Sequence, residues 1–401
     1  MVYNGVCARY RGRYYHSNSF AAFLRDLTSE FERVRYFGAF LDEGDRGFEH
    51  TCEAPLGAPN LELHLVRGNS GSTGAWAFVR NYIVALWRLA GFLRGSQQVV
   101  AFVPSFLSVA AALGALALDK KLGVYIGGNW SQESQHRRLT PIQRVFYPVN
   151  RYAIDPLVRW VARRAQFVVT PGYDAHARLR ERVRNIMLPA PLLGVRATDV
   201  VGRTDTCGGA EIRVLFVGAL RVQKGVGELL EAFARVRGRI ADKRLVLWFV
   251  GSGEAEPTLR ERAAQLELAG VVRFFGHIEN GPSLFDVYRQ ADIFALPTYS
   301  EGFPRSLYEA MTFGLPVLTT SVGGIPYFLE HLRHAVLIQP GDVVGLEAAL
   351  FSLLTDAALR SRLVHHARDL MLDVVYPRIE RDQSLAKQIS RGFVNGAGAF
   401  T

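Results

Sequence analysis

Residues 201–401 alternate short apolar runs with amphipathic stretches at a regular pitch. The runs over 212–217, 245–250, 271–275, 292–296, 317–320 and 336–338 are short and rich in β-branched and aromatic residues, so they predict strands. Between the first two, residues 226–236 place Leu229, Leu230, Phe233 and Val236 on one helical face. Further helices are predicted over 258–268, 283–290, 304–313 and 346–354, the third of these closed by Gly314. Such alternation predicts a doubly wound, mostly parallel sheet. The first 200 residues follow the same grammar less clearly, with strands over 34–40, 61–66, 99–103, 122–126 and 167–169. Helices are predicted there over 19–31, 76–94, 106–118 and 156–164.

This pattern divides the chain into an N-terminal domain over 1–188 and a C-terminal domain over 211–379. Pro189, Pro191 and the polar run 202–210 place a linker over 189–210, and residues 380–401 are expected to form a helix or tail that crosses back to the N-terminal domain. With 49% apolar and 21% charged residues, the chain can bury large cores, which excludes disordered and fibrous classes. Cys7, Cys52 and Cys207 lie far apart without a CxxC pair, so neither a disulfide framework nor a cysteine zinc site is expected. The opening residues MVYNGVCARYRGRYYHSN lack the apolar core of a secretory signal. Residues 95–118 carry no charge and are long enough by count to span a bilayer. They split at Pro104-Ser105 into a strand and a small-residue helix, as expected of a buried sheet layer.

The charge changes the picture most. Residues 1–200 hold 25 Lys and Arg against 15 Asp and Glu, whereas residues 201–401 hold 22 against 22. The whole net charge of +10 therefore sits in the first half, and the two halves have different electrostatic jobs. Basic and aromatic residues interleave over 76–94 and again over 137–166. Either segment suits an anionic membrane surface or an ordinary helix packed on the sheet with its arginines in water. No nucleic-acid module accompanies the charge, so nucleic acid is not an expected partner.

The candidate chemistry lies where strands end. Glu301-Gly-Phe-Pro-Arg-Ser-Leu-Tyr-Glu309 follows the strand over 292–296, and Pro304 suits a first helical turn. Glu301 then stands in a strand-end loop, and Glu309 lies about a turn and a half into the helix, where a carboxylate can hold a vicinal diol. The helix start supplies free N–H groups and partial positive charge for an anion, and Gly302 allows close backbone approach. Val217-Gly-Ala-Leu-Arg-Val-Gln-Lys-Gly225 has the same strand–loop–helix form, with Lys224 placed to neutralise a phosphate leaving group. Gly251-Ser-Gly253 and Gly323-Gly324 follow two more strands. Taken singly, each motif also fits an ordinary cap, turn or surface residue.

In combination, the segments VLFVGALRVQKGVGELLEAFARV, FVGSGE, FFGHI, LPTYSEGFPRSLYEAMTFGLPVLTTSVGGIP and IQPGD resemble the nucleotide-sugar domain of retaining GT-B glycosyltransferases of family 4, the group 1 glycosyl transferases. The resemblance covers residues 211–356. It implies an α/β GT-B architecture of two Rossmann-like doubly wound parallel-sheet domains facing a cleft. It further implies a nucleoside-diphosphate-sugar donor, a glycan or lipid-linked acceptor, and no metal or other cofactor. Carried onto this sequence, it assigns Glu309 to the ribose diol and Glu301, with the Gly302, Phe303 and Pro304 backbone, to the donor sugar. It assigns Lys224 to the diphosphate and places Gly218, Gly251 and the His277 turn around the nucleotide. Ala219 occupies the family's usual arginine position, and Arg221 is the expected substitute.

The first half departs further from the family. Its first-strand loop corresponds to residues 10–18, with Gly12 alone and Tyr14 on the acceptor side. The place of the family's donor-facing histidine is taken by Gly127-Gly-Asn129-Trp130, so Asn129 is an acceptor-side candidate that cannot act as a base. The resulting expectation is a cytoplasmic retaining transferase, peripheral at the inner face of the cytoplasmic membrane, in polysaccharide or glycolipid synthesis. Its rival is a catalytically weakened GT-B scaffold that still binds nucleotide at the membrane.

Overall fold

The computed structural model describes residues 1–45, 53–68, 75–103, 105–127, 155–183, 185–189, 191, 193–382 and 384–395. The chain forms two compact units. The first comprises Met1–Pro171, Ala175–Ala190 and Asp382–Thr401; the second comprises Gly172–Asp174 and Pro191–Arg381.

Among the described residues the N-terminal unit holds nine strands: β1 (Val2–Tyr10), β2 (Arg13–His16), β3 (Val34–Asp42), β4 (Ala54–Pro55), β5 (Leu61–Arg67), β6 (Gln98–Val103), β7 (Lys121–Ile126), β8 (Phe167–Val169) and β9 (Ile186–Met187). Strands β5, β3, β1, β6, β7, β8 and β9 run parallel in that order. β1 was not expected from the pattern, because Asn4, Arg9 and two tyrosines interrupt its apolar positions. It pairs with β6 at Val2↔Ala101, and further along Ala8–Tyr10 pair antiparallel with β2. Arg11 and Gly12 join the two strands, and both have positive φ (48° and 76°), as a two-residue hairpin requires. The segment expected to be a loop is therefore a hairpin inserted beside the end of β1. The uncharged stretch resolves as β6 and the helix Phe106–Ala117, whose N-cap Ser105 accepts from Ser108 N at 3.0 Å. Among the described residues, no helix is long and apolar enough to cross a membrane. The helix Leu385–Asn395 packs in this unit: Phe393 meets Phe167 edge-on at 4.8 Å and accepts a hydrogen bond from Gln166.

The C-terminal unit contains β10 (Glu211–Val217), β11 (Arg244–Val250), β12 (Val272–Phe274), β13 (Ile293–Leu296), β14 (Val317–Thr320) and β15 (Val336–Ile338). All are parallel, in the order β12-β11-β10-β13-β14-β15. Helices cover both faces, so β13 and β14 are buried at every position. That is why they read as unbroken apolar runs rather than as alternating ones. Each large side chain buried here, such as Phe216, Phe233, Phe249 and Phe294, contributes about 1.5–3 kcal/mol. Of the linker expected over 189–210, the part from Pro191 on belongs to this unit: Val195 and Cys207 are buried in its core, and Val201 N donates to Thr312 O at 2.8 Å. Val336 and its neighbours are followed by the helices Val343–Thr355 and Ala357–Leu370, the latter absent from the expected elements.

Candidate active site

The C-terminal sheet changes winding direction between β10 and β13, which are hydrogen-bonded neighbours from opposite halves of the strand order. At such a switch point the loops leaving the two strand ends diverge and open a crevice. Here those loops carry Lys224 and Glu301. Three contacts stitch them together: Thr298 Oγ1 and Tyr299 N both donate to Gln223 O (3.1 and 2.9 Å), and Tyr299 OH donates to Glu228. Burial, together with the Glu228 carboxylate, pushes the Tyr299 hydroxyl up to about 12, so it stays a donor at neutral pH. Held this way, Lys224 Nζ forms an ion pair with Glu301 Oε1, with both side chains still partly open to solvent.

Glycines bring the neighbouring loops into register. Gly251 has φ +130°, and a Cβ there would lie 2.0 Å from Gly218 O; at Gly323 a Cβ would lie 1.7 Å from Glu301 O. Both positions require the backbone approach of one loop to the next. The amides of Gly218 and Gly251, expected around the nucleotide, donate to Val250 O (3.0 Å) and Gly276 O (2.7 Å). They hold the strand ends together.

The helix Arg305–Thr312 starts one residue later than expected, with Pro304 in extended conformation at its N-cap. Glu309 is buried, 3% exposed, rather than lying on an open helix face. Its Oε2 accepts from Tyr288 OH (2.8 Å) and its Oε1 from Asn280 Nδ2 (2.7 Å). Burial and the adjacent carboxylate hold Tyr288 well above the ordinary phenol range, so the hydroxyl is a permanent donor. Each carboxylate oxygen has two lone pairs, so both oxygens of Glu309 keep capacity for one more donor. Asn280, exposed on the loop after β12, and the fully buried Tyr288 were missed in the sequence. Asn280 stands in an Asn-Gly-Pro turn signal, and Tyr288 reads as a core aromatic of an amphipathic helix.

Arg221 is exposed at the start of the turn that ends in Lys224, on the same loop as Ala219. His277 is exposed beside Gly276. The Phe303 ring packs with Tyr308 (4.5 Å), Phe328 (5.1 Å) and Tyr173 (5.5 Å), which leaves its backbone, with Gly302, at the loop surface. In the N-terminal unit, Tyr14 lies on the hairpin strand β2, edge-on to Phe40 at 5.8 Å. Asn129 and residues 137–154 of the basic segment lie outside the described residues.

Comparison with known proteins fits this geometry. Residues 208–370 match the family described as glycosyl transferases group 1. They belong to that family. An uncharacterized glycosyltransferase of Methanocaldococcus jannaschii is 30% identical over 158 residues, 39% of this chain and 40% of its own length. The lipopolysaccharide core biosynthesis glycosyltransferase LpsE of Rhizobium meliloti is 28% identical over 51% of this chain and 57% of its own length. The chain thus matches roughly two fifths to three fifths of these curated relatives. Among solved structures, WaaG, a glycosyltransferase involved in lipopolysaccharide biosynthesis, aligns over 99% of this chain and all of its own, with TM-score 0.62 and 18% identity. Anabaena Alr3699/HepE in complex with UDP aligns over 97%, with TM-score 0.63 and 15% identity. At these identities the likeness establishes the fold, GT-B, along nearly the whole chain. The group 1 match ends short of the N-terminal unit, where the hairpin and the charge excess lie.

Proposed function

We propose that this chain is a retaining glycosyltransferase that moves a sugar from a nucleoside diphosphate to a glycan or lipid-linked acceptor. The observation that carries the reading is the juxtaposition, across the β10/β13 switch, of one lysine on Glu301, with the buried Glu309 about one turn into the helix that follows. In this reading the ribose diol donates to the unused lone pairs of Glu309, while Tyr288 and Asn280 hold the carboxylate still. The diphosphate lies against Lys224, Arg221 and the first-turn amides after Pro304, drawing the lysine away from Glu301. Glu301 is then free to orient the donor sugar and face its positive charge. His277 and its turn lie toward the base.

The acceptor hydroxyl oxygen forms the new bond to the anomeric carbon on the face from which the diphosphate oxygen departs. Its proton passes to the departing diphosphate, so no protein nucleophile is needed. Lysine, arginine and helix-terminal amides supply the positive charge that a divalent metal supplies elsewhere, so transfer proceeds without one. The acceptor lies on the N-terminal side, where the family resemblance assigns Tyr14 and Asn129 to it, and the enzyme works as a peripheral protein at the inner face of the cytoplasmic membrane. WaaG and LpsE, whose names place them in lipopolysaccharide synthesis, support an acceptor of polysaccharide or glycolipid type.

Thermal-shift and calorimetric titration with UDP-, GDP- and ADP-sugars tests the reading. One donor is expected to bind and to release its sugar with the anomeric configuration kept, in EDTA as in buffer. Inverted product or a strict metal requirement contradicts it. Ala219 favours a second reading, a GT-B scaffold with weakened turnover; nucleotide binding without sugar release across all donors would select it.

A further inference from the structure

The helix Ala75–Arg94 has two apolar sides. Ala85, Leu89, Phe92 and Leu93 are buried in the N-terminal core. On the opposite side, Trp76 is 89%, Trp87 78% and Ile83 62% exposed, with Val79 and Leu86 beside them. At 3.6 residues per turn these five side chains fall within an arc of about 100°. A helix on the surface of a domain ordinarily turns charge outward, and a contiguous exposed apolar stripe marks an interaction site.

Two further observations say what covers it. The helix contains no acidic residue, and its charges, Arg80, Arg88 and Arg94, are all exposed, with no carboxylate partner among the described residues. Beside the stripe, between the helix and the edge strand β5, runs a groove of about 630 Å³ lined by Arg35, His64, Trp87, Arg88 and Arg94. Trp87 belongs to both the groove and the stripe. Burial and the neighbouring Arg35 guanidinium lower the His64 pKa, so the groove's positive charge is that of its arginines. The Glu62 carboxylate, which meets the groove's Arg35 and His64, is also engaged by Arg33. Tryptophans flanked by arginines that have no carboxylate partner among the described residues match the boundary between acyl chains and anionic headgroups. A second copy of this face matches it poorly, because its arginines would oppose arginines.

We propose that this face of the N-terminal unit docks on an anionic lipid bilayer. Trp76, Ile83 and Trp87 enter the headgroup–acyl boundary, and lipid phosphates sit over Arg80, Arg88 and Arg94 and in the adjoining groove. The inference rests on the peripheral-membrane part of the reading above and assigns it a surface.

The test is sedimentation of the full chain with phosphatidylcholine vesicles, with and without a third of phosphatidylglycerol. The unaltered protein is expected to pellet with the anionic vesicles and to be released by salt. Trp76→Ser with Trp87→Ser should weaken that binding about tenfold or more, and Arg80→Glu with Arg88→Glu should remove the preference for phosphatidylglycerol. Nucleotide affinity, unchanged in both variants, reports that they fold and is the separate test of the donor site. If the unaltered protein ignores anionic vesicles, the membrane placement itself fails while the transferase reading stands. If it binds and both variants bind equally well, this face is the wrong one; Arg159→Glu with Arg163→Glu then tests the helix Asp155–Arg164. A concentration-dependent dimer abolished by the tryptophan pair, without vesicle binding, makes a second copy the occupant and overturns the proposal.

Discussion

The two units are built on parallel sheets of similar grammar, yet they finish their strand ends in opposite ways. In the C-terminal unit, β10, β11, β13 and β14 end in short loops bonded to one another through Gly218, Gly251, Gln223 and Glu301. In the N-terminal unit, β1 ends in a two-residue hairpin with β2. The first arrangement holds Lys224 on Glu301, and the following helix carries Glu309 to Tyr288 and Asn280. The second leaves side chains such as Tyr14 on an elaborated edge, and the unit's distinctive feature is an outward apolar helix flanked by arginines. Charge follows the same division, balanced in one half and in excess by ten in the other. Rigid backbone contacts suit a ligand whose shape does not vary; side chains on an open surface suit one that does.

The contrast is sharpest at Lys224. Replacing it with alanine should lower sugar transfer by about 10²–10³-fold, because it removes a charge matched to the leaving group. The denaturation midpoint should hardly change, since a partly exposed ion pair contributes little to stability. Equal losses of activity and stability would mean that the pair is structural. Next is Gly251→Ala, which forces a side chain onto Gly218 O and should destabilise the C-terminal unit by about 1–3 kcal/mol in urea unfolding. It should also weaken nucleotide binding, because the Lys224 loop must move. An unaltered affinity would show that the stitched loops do not position the site.

Tyr288→Phe should cost about 1–2 kcal/mol by leaving Glu309 Oε2 short of a buried donor. It should raise the donor KM more than it lowers kcat, because it acts through the residue assigned to the ribose. A further effect, confined to acid pH, belongs to the other unit. Burial lowers the His16 pKa from 6.5 to about 4, against the opposing charge of Glu53. The unfolded chain therefore binds the extra proton between those values, and stability falls as pH drops through that window and levels off below it. His16→Gln should flatten this part of the pH profile in chemical unfolding. An unchanged slope would mean that another group of the N-terminal unit titrates there.

The C-terminal half was legible because its strands are buried on both faces and its turns are punctuated by glycine and proline. Glu301 and Lys224 stand at strand ends, and Glu309 in the helix that follows one, at places that local pattern alone locates. The burial of Glu309 was not legible, since it depends on Tyr288 and Asn280, which approach from 21 and 29 residues away in sequence. Nor was the use of the Gly218 and Gly251 amides, which bond to carbonyls on other strands. In the N-terminal half, β1 was missed because half its positions are polar, and the hairpin because Arg11 takes a positive φ that a glycine or asparagine would have advertised. The helix over 75–94 was found, but its pattern is apolar on two sides, and only packing shows which side the core takes.

Periodicity, turn chemistry and charge are local quantities, and by themselves they determined the α/β class, most of the elements and the separation of a neutral half from a basic one. Which carboxylate is buried, which amides are spoken for and which tryptophans meet solvent depend on groups distant along the chain and adjacent in space. Those choices belong to the tertiary structure, because hydrogen-bond satisfaction and burial are decided by whatever neighbour the fold brings near.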